Sequence, residues 1–300
     1  MYLPIFRGRQ YELLALREVV FANLISSKII PIIEPVKVSS TLIRTIRAFI
    51  ENERYIAIIL NPGVGSWEKE RVKEGNQTVI ADFEELIKND YVIGCYYVND
   101  TIKDFVLNNC ALICNKQDYL PLYDNLNSHN ILYNLIPDKS DFRRRIRTNR
   151  VLLDDHFPKR ERNADYSENT DEFFSSDPFY FKDDGYVGFS DYSIIGQDYS
   201  ETGFAPYAVA IHMVYIKGES LRVAHFVSDS NSDTNDTAGK FFEAVEKLAK
   251  WNKNANLDTR GIRELETYFK NESYPGLGTV KKCSIMHHLE LVSKLLGEIK

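Results

Sequence analysis

Arg7 and Arg9 flank Gly8 near the start of the chain, and two guanidiniums so placed can grip a carboxylate or phosphate in bidentate fashion. Pairing with Glu12 or with a neighbouring strand end is the structural alternative. Glu34, which precedes Pro35, can serve as a base, a metal ligand or the partner of Arg7, and pairing is the most economical of these. Asn61, before Pro62, can orient a substrate or satisfy a loop. Asp154, Asp155 and His156 stand together, as do Ser190, Asp191 and Tyr192. Asp154 and Asp155 can bind a divalent cation such as magnesium through oxygen. Adjacent carboxylates can also divide into acid and base, since like charges push pKa values apart. Asp in such places is equally an ordinary helix cap.

His212 and His225 lie six residues either side of a Gly218-Glu219 turn, so antiparallel pairing would set them face to face. Either is a candidate acid–base group. His225-Phe226-Val227-Ser228-Asp229 also places an imidazole, a hydroxyl and a carboxylate close together. Neither Ser190 nor Ser228 sits in a G-x-S-x-G elbow, so no hydrolase follows. His287 and His288 read as surface or packing residues. Gly63-Val64-Gly65 lacks the phosphate-loop fingerprint. Cys95, Cys110, Cys114 and Cys283 show no paired zinc spacing and read as buried small hydrophobes.

The elements that must position these residues are eight short apolar runs, at 2–6, 29–33, 55–60, 91–98, 110–114, 131–136, 150–153 and 186–189. Continuous β-branched and aliphatic runs are what strands buried on both faces look like. Helical periodicity separates them, as at 10–24, 40–50, 77–88 and, more weakly, 100–106, 119–126 and 140–147. Eight strand–helix units predict a (β/α)8, TIM-barrel-like domain spanning the chain, with any active site at the C-terminal ends of the strands. Arg7, Glu34, Asp191 and His212 are therefore expected to converge there.

Two insertions interrupt the pattern. Residues 156–185 are polar, acidic and aromatic without periodicity, and are expected to form a lid over the barrel mouth. After strand eight, 207–227 alternates as a β-hairpin. A helix at 239–251 is expected to close the barrel, followed by a C-terminal helical segment at 258–300. The composition, 44% hydrophobic and 27% charged, supplies enough apolar mass for a large core. The net charge of -6 argues against a general nucleic-acid coat. Arg143, Arg144, Arg145, Arg147 and Arg150 still cluster, and can hold an anionic ligand or nucleic acid. Residues 163–201 hold ten acids against one base and can instead fold back on those arginines. No apolar run nears the ~20 residues that span a bilayer, and no signal-peptide core follows Met1, so a cytoplasmic protein without membrane contact is expected.

The segment Tyr2-Leu3-Pro4-Ile5-Phe6-Arg7-Gly8-Arg9-Gln10-Tyr11-Glu12-Leu13 resembles the start of the Beta-protein family of bacterial and phage proteins. Pro31-Ile32-Ile33-Glu34-Pro35, Gly188-Phe189-Ser190-Asp191-Tyr192, Ala208-Val209-Ala210-Ile211-His212 and His225-Phe226-Val227-Ser228-Asp229 extend the resemblance over most of the chain. It implies a component of phage defence or mobile-element conflict that partners a protein encoded nearby. It supports the rim residues as a common site and supplies no reaction. Two classes stay open: a binding or regulatory barrel, and a barrel enzyme acting on an anionic small molecule, nucleotide or phosphodiester.

Overall fold

This computed structural model describes residues 1–126, 128–200 and 206–297. The eight apolar runs form one parallel sheet of strands β1 (Ile5–Phe6), β2 (Ile32–Ile33), β3 (Ile56–Ile59), β4 (Val92–Tyr97), β5 (Ala111–Ile113), β6 (Tyr133–Ile136), β7 (Arg150–Leu153) and β8 (Gly188–Ser190), paired in that order. The sheet curls until its edges meet. Leu3 N donates to Phe189 O at 2.9 Å and Ile5 N to Asp191 O at 2.8 Å, so β8 lies beside β1. The result is the expected (β/α)8 barrel.

Alternation along each strand produces two apolar layers, because successive side chains point to opposite faces. Ile5, Ile32, Ile59, Cys95, Ile113, Leu135, Val151 and Tyr192 fill the interior. Phe6, Ile33, Ile58, Leu112 and Phe189 face outward and pack on the surrounding helices. Those helices include α1 (Gln10–Phe21), α2 (Ser40–Glu51), α3 (Gln77–Leu86), and the short α4 (Leu120–Asp124) and α5 (Ser140–Arg145). Ser39 caps α2 by accepting from Leu42 N at 3.2 Å. Between β4 and β5 a 3-10 turn forms at Asp100–Asp104, capped by Asn99, and is followed by a two-residue strand, Leu107–Asn108, that lies outside the barrel sheet.

The hairpin forms as expected. Strands β9 (Ala210–Ile216) and β10 (Leu221–Val227) pair antiparallel, and His212 lies opposite His225. Residues 156–185 do not form a lid over the mouth. Their strand Asp171–Ser175 pairs antiparallel with β10, making a three-stranded accessory sheet. Phe157, Tyr166, Phe174 and Phe181 are buried core residues, whereas Phe173 and Tyr180 are exposed.

The helix expected to close the barrel is α6 (Thr237–Ala255). It instead covers the accessory sheet together with α7 (Arg260–Lys270), through a core containing Ile211, Met213, Phe226, Phe241, Leu248 and Leu265. The barrel's eighth helix is α8 (Leu277–Leu295), whose Ile285, Met286, Leu289 and Val292 pack into the barrel's outer layer. Lys282 Nζ meets Glu18 of α1 at 2.7 Å, and Ser293 Oγ accepts from Ser26 N at 2.8 Å. His287 and His288, read from sequence as surface or packing residues, are fully buried. Among the described residues, no helix is long and apolar enough to cross a membrane.

Candidate functional site

The exit of β1 positions the first functional side chain. Gly8 adopts φ +60°, and a Cβ there would stand 2.9 Å from Glu34 O, so glycine is what lets the chain turn against β2. Two residues after Ile5, Arg7 shares its inward parity and enters the barrel. Glu34, two after Ile32, does the same. Their guanidinium and carboxylate form a buried ion pair, with side chains 9% and 1% exposed. Tyr97 Oη donates to Glu34 Oε2 at 2.9 Å, and Gly63 N donates to Glu34 Oε1 at 2.7 Å. A second Arg7 nitrogen donates to Gln197 O, while Arg7 Nε is buried without a partner among the described residues. Burial lowers the guanidinium's pKa; Tyr97, Glu34 and Tyr192 outweigh that, and it ends raised.

Above this pair lies a pocket of about 250 Å³ at the C-terminal mouth. Tyr97, Asn99, Asn115, Lys116, Tyr119 and Tyr192 supply its other polar groups. Burial pushes the Tyr192 phenol up to about 12, and Tyr97 also lies well above its ordinary value, so both remain protonated donors. Asn115 hydrogen-bonds Tyr192. The pocket suits a small polar molecule, with Lys116 available for a negative group. Lys116 and Tyr119 follow β5 and were not singled out in the sequence; their place just beyond a strand end was the available signal.

The loop that borders this mouth is 196–200, not the 156–185 segment. Gln197 N donates to Asp155 Oδ2 at 2.8 Å, and Arg9 donates to Ser200 O while standing over the Tyr199 ring, 4.9 Å from its centroid. Arg9 is thus engaged with this loop. Asp154 Oδ1 accepts from Asp155 N at 2.8 Å, which makes the two carboxylates local loop anchors. Among the described residues, no group of three or more His, Cys, Asp or Glu could hold a metal ion. Asn61 spans to the end of β4, accepting from Tyr97 N and donating to Tyr97 O, both at 2.9 Å. It satisfies a backbone.

Asp191 and His212 do not join Arg7 and Glu34. Asp191 follows Phe189 by two and shares its outward parity. Its Oδ1 accepts from Tyr2 Oη and Ser193 N, each at 2.7 Å. Burial raises its pKa to about 6, against the pull of Tyr2, His156 and Ser193. His156 Nε2 lies 2.7 Å from Asp177, and Ser193 Oγ lies 3.0 Å from His288 Nδ1, extending an internal polar network beneath α8.

His212 and His225 meet through their Nδ1 atoms at 2.7 Å, and His225 Nε2 lies 3.2 Å from Glu172 Oε2. Arg160 pairs with the other oxygen of Glu172. Burial brings His212 down to about 3 and also lowers His225, although Glu172 pulls the latter upward. Ser228 Oγ instead accepts from Val209 N at 3.0 Å, and Asp229 pairs with Lys247 at 2.6 Å, so no Ser/His/Asp triad assembles. The basic cluster is partly neutralised by nearby acids: Arg143 pairs with Asp138 and Arg145 with Asp124. Arg150 donates to Gly185 O at 2.9 Å, and the acidic insertion pairs with the hairpin through Asp171 and Arg222.

No protein-family model, no curated protein and no solved structure matches the chain.

Proposed function

We propose that the chain is a binding and regulatory barrel that holds a small polar or anionic ligand in its mouth and works with a protein partner in phage defence or mobile-element conflict. The defence setting and the partner rest on the resemblance to the Beta-protein family. The binding part rests on one observation: Glu34, the acid lining the mouth, already receives hydrogen bonds from Arg7, Tyr97 and Gly63. With those donors in place both of its oxygens are already engaged by the protein. The groups left facing the pocket are phenols, amides and Lys116, which can bind and orient a polar ligand.

The enzyme reading keeps a single favourable observation. Arg7 Nε is a buried, unsatisfied donor among the described residues, and an entering oxyanion would satisfy it.

Purification from a native host, followed by native mass spectrometry and release of bound small molecules, tests the proposal. The expected result is a non-covalent ligand, lost when Asn115 and Lys116 are both replaced by alanine without a fall in the melting temperature of ligand-free protein. Conversion of that ligand to a new product by the purified chain would overturn it in favour of the enzyme. Protein that carries no ligand, and gains no thermal stability from nucleotides or anionic metabolites, would remove both readings of the mouth.

A further inference from the structure

A second cavity, of about 280 Å³, lies between the segment after β7, the stretch after β8, strand β9 and the first two turns of α8. None of its lining residues lines the mouth. Its charged lining residues are Lys159, Arg160 and Lys281, with Asn163, His212 and Ser284 as polar neighbours and no acid among them. Acidic partners stand outside the lining: Lys159 reaches Asp198 at 3.4 Å, Lys281 reaches Glu12 at 3.7 Å, and Arg160 pairs with Glu172. The two lysine contacts are long for hydrogen-bonded ion pairs, whose N···O distances run about 2.7–2.9 Å.

We propose that this cavity binds the phosphate group of a small phosphate monoester, held by Lys281, Lys159 and Arg160 with His212 as a hydrogen-bonding partner. Three cations around one small volume match a dianion better than a single carboxylate does. The volume lies just below the roughly 300–1,000 Å³ usual for ligand sites, which suits a small phosphate monoester rather than a larger ligand. The cavity's own electrostatics agree. Burial lowers the pKa of Lys281; Glu12 raises it, and the neighbouring positive charges of Arg9 and Lys159 lower it further.

The paired imidazoles supply the remaining chemistry. A carboxylate only accepts hydrogen bonds, so His225 Nε2 carries a proton toward Glu172 and His225 Nδ1 is bare. The proton shared between the two Nδ1 atoms then belongs to His212, which leaves His212 Nε2 as a lone pair. An entering dianion favours protonation of that nitrogen, and Glu172 at the far end of the two-ring chain offsets the added charge. The titratable or charged groups around the two rings are Lys281, Arg160, Glu172, Asp171 and Tyr166. Binding should therefore be accompanied by proton uptake at His212.

The experiment is a histidine NMR titration of the full chain with inorganic phosphate, using chloride at matched ionic strength as control and His212→Asn to assign the resonance. Phosphate should shift the His212 ring signal saturably and raise its pKa. Lys281→Met should weaken phosphate binding about tenfold or more, as loss of a charge-assisted hydrogen bond does. Lys159→Gln, at a more exposed position, should weaken it less and keeps the test valid if Lys281→Met fails to fold. Lys116→Gln, at the mouth, should leave the phosphate-dependent shift of the His212 signal as in the parent, which separates this site from the proposed mouth site. A His212 signal unmoved by phosphate, moved equally by chloride, or moved equally in Lys159→Gln and Lys116→Gln would overturn the proposal.

Discussion

Arg7 and Glu34 hold one another in a nearly dry setting, and that fixes what their removal should do. Breaking one partner of a buried pair leaves an uncompensated charge, which costs about 3–5 kcal/mol. Glu34→Ala should therefore lower stability by about that much in urea unfolding, while Arg7→Met with Glu34→Met should lose far less than the two single changes summed. Additive losses would mean the pair is not a clasp. Asp191 makes a prediction of opposite character. Its ordinary value of 3.8 rises to about 6 in the fold, so the native state holds a proton that the unfolded chain has released between those limits. Its favourable contribution is full below about pH 4 and lost as pH rises through about 6. Asp191→Asn keeps an oxygen for Tyr2 and Ser193 and removes the charge. The variant should gain on the parent between pH 4 and 6, by at most about 3 kcal/mol, then run level; parallel stability curves across that range would contradict this. The rim position of both acids was legible, since each follows a strand-like run. The face was not read, although Asp191 shares the parity of Phe189 and Glu34 that of Ile32. That parity sends one acid among the helices and the other into the mouth.

At the level of elements, the strands were plain in the sequence because burial on both faces leaves uninterrupted aliphatic runs. The closing helix was not. Four elements of an accessory layer, β9, β10, α6 and α7, intervene between β8 and α8, so the first strongly periodic helix after the hairpin looked like the barrel's last. What distinguishes α8 is burial of polar residues: His287 Nδ1 lies 2.8 Å from Thr259, and its Nε2 lies 2.5 Å from Val214 O. A helix that satisfies such groups internally is enclosed on most sides, and hydrophobic spacing alone does not reveal that. The 156–185 segment escaped for a related reason, since Asp171–Ser175 lacks apolar–polar alternation and gains its strand character only by pairing with β10. The junction of α7 with α8 depends on Gly261, where a Cβ would stand 2.0 Å from Cys283 O. Backbone cannot yield as a flexible side chain does, so Gly261→Ala should destabilise by at least the ~1–3 kcal/mol typical of overpacking. Circular dichroism melting should show a clear fall in Tm, and an unchanged Tm would mean the helices separate freely.

Two of the molecule's apolar clusters, the barrel's outer layer and the accessory core, meet on one helix. Ile285, Met286, Leu289 and Val292 of α8 belong to the barrel's outer layer, whereas Val280 and Cys283 belong to the accessory core. A helix shared in this way cannot leave one core while serving the other. His287, bonded to Val214 on β9 and to Thr259 before α7, ties the same helix to the accessory layer a second time. The barrel in turn lacks its eighth helix without α8, exposing the outward faces of Tyr2 and Phe189 where β8 meets β1, whose rings stack at 4.8 Å. Local unfolding of either unit therefore carries the energetic cost of opening both. The expected consequence is a single calorimetric transition whose calorimetric and van't Hoff enthalpies agree, despite the chain's length. Disruption confined by sequence to the accessory layer, such as Leu248→Ala within α6, should lower that one transition as a whole rather than split off an early step. Two resolved transitions in the parent protein, or an early step in the variant with the barrel's melting unchanged, would show that α8 does not couple the cores.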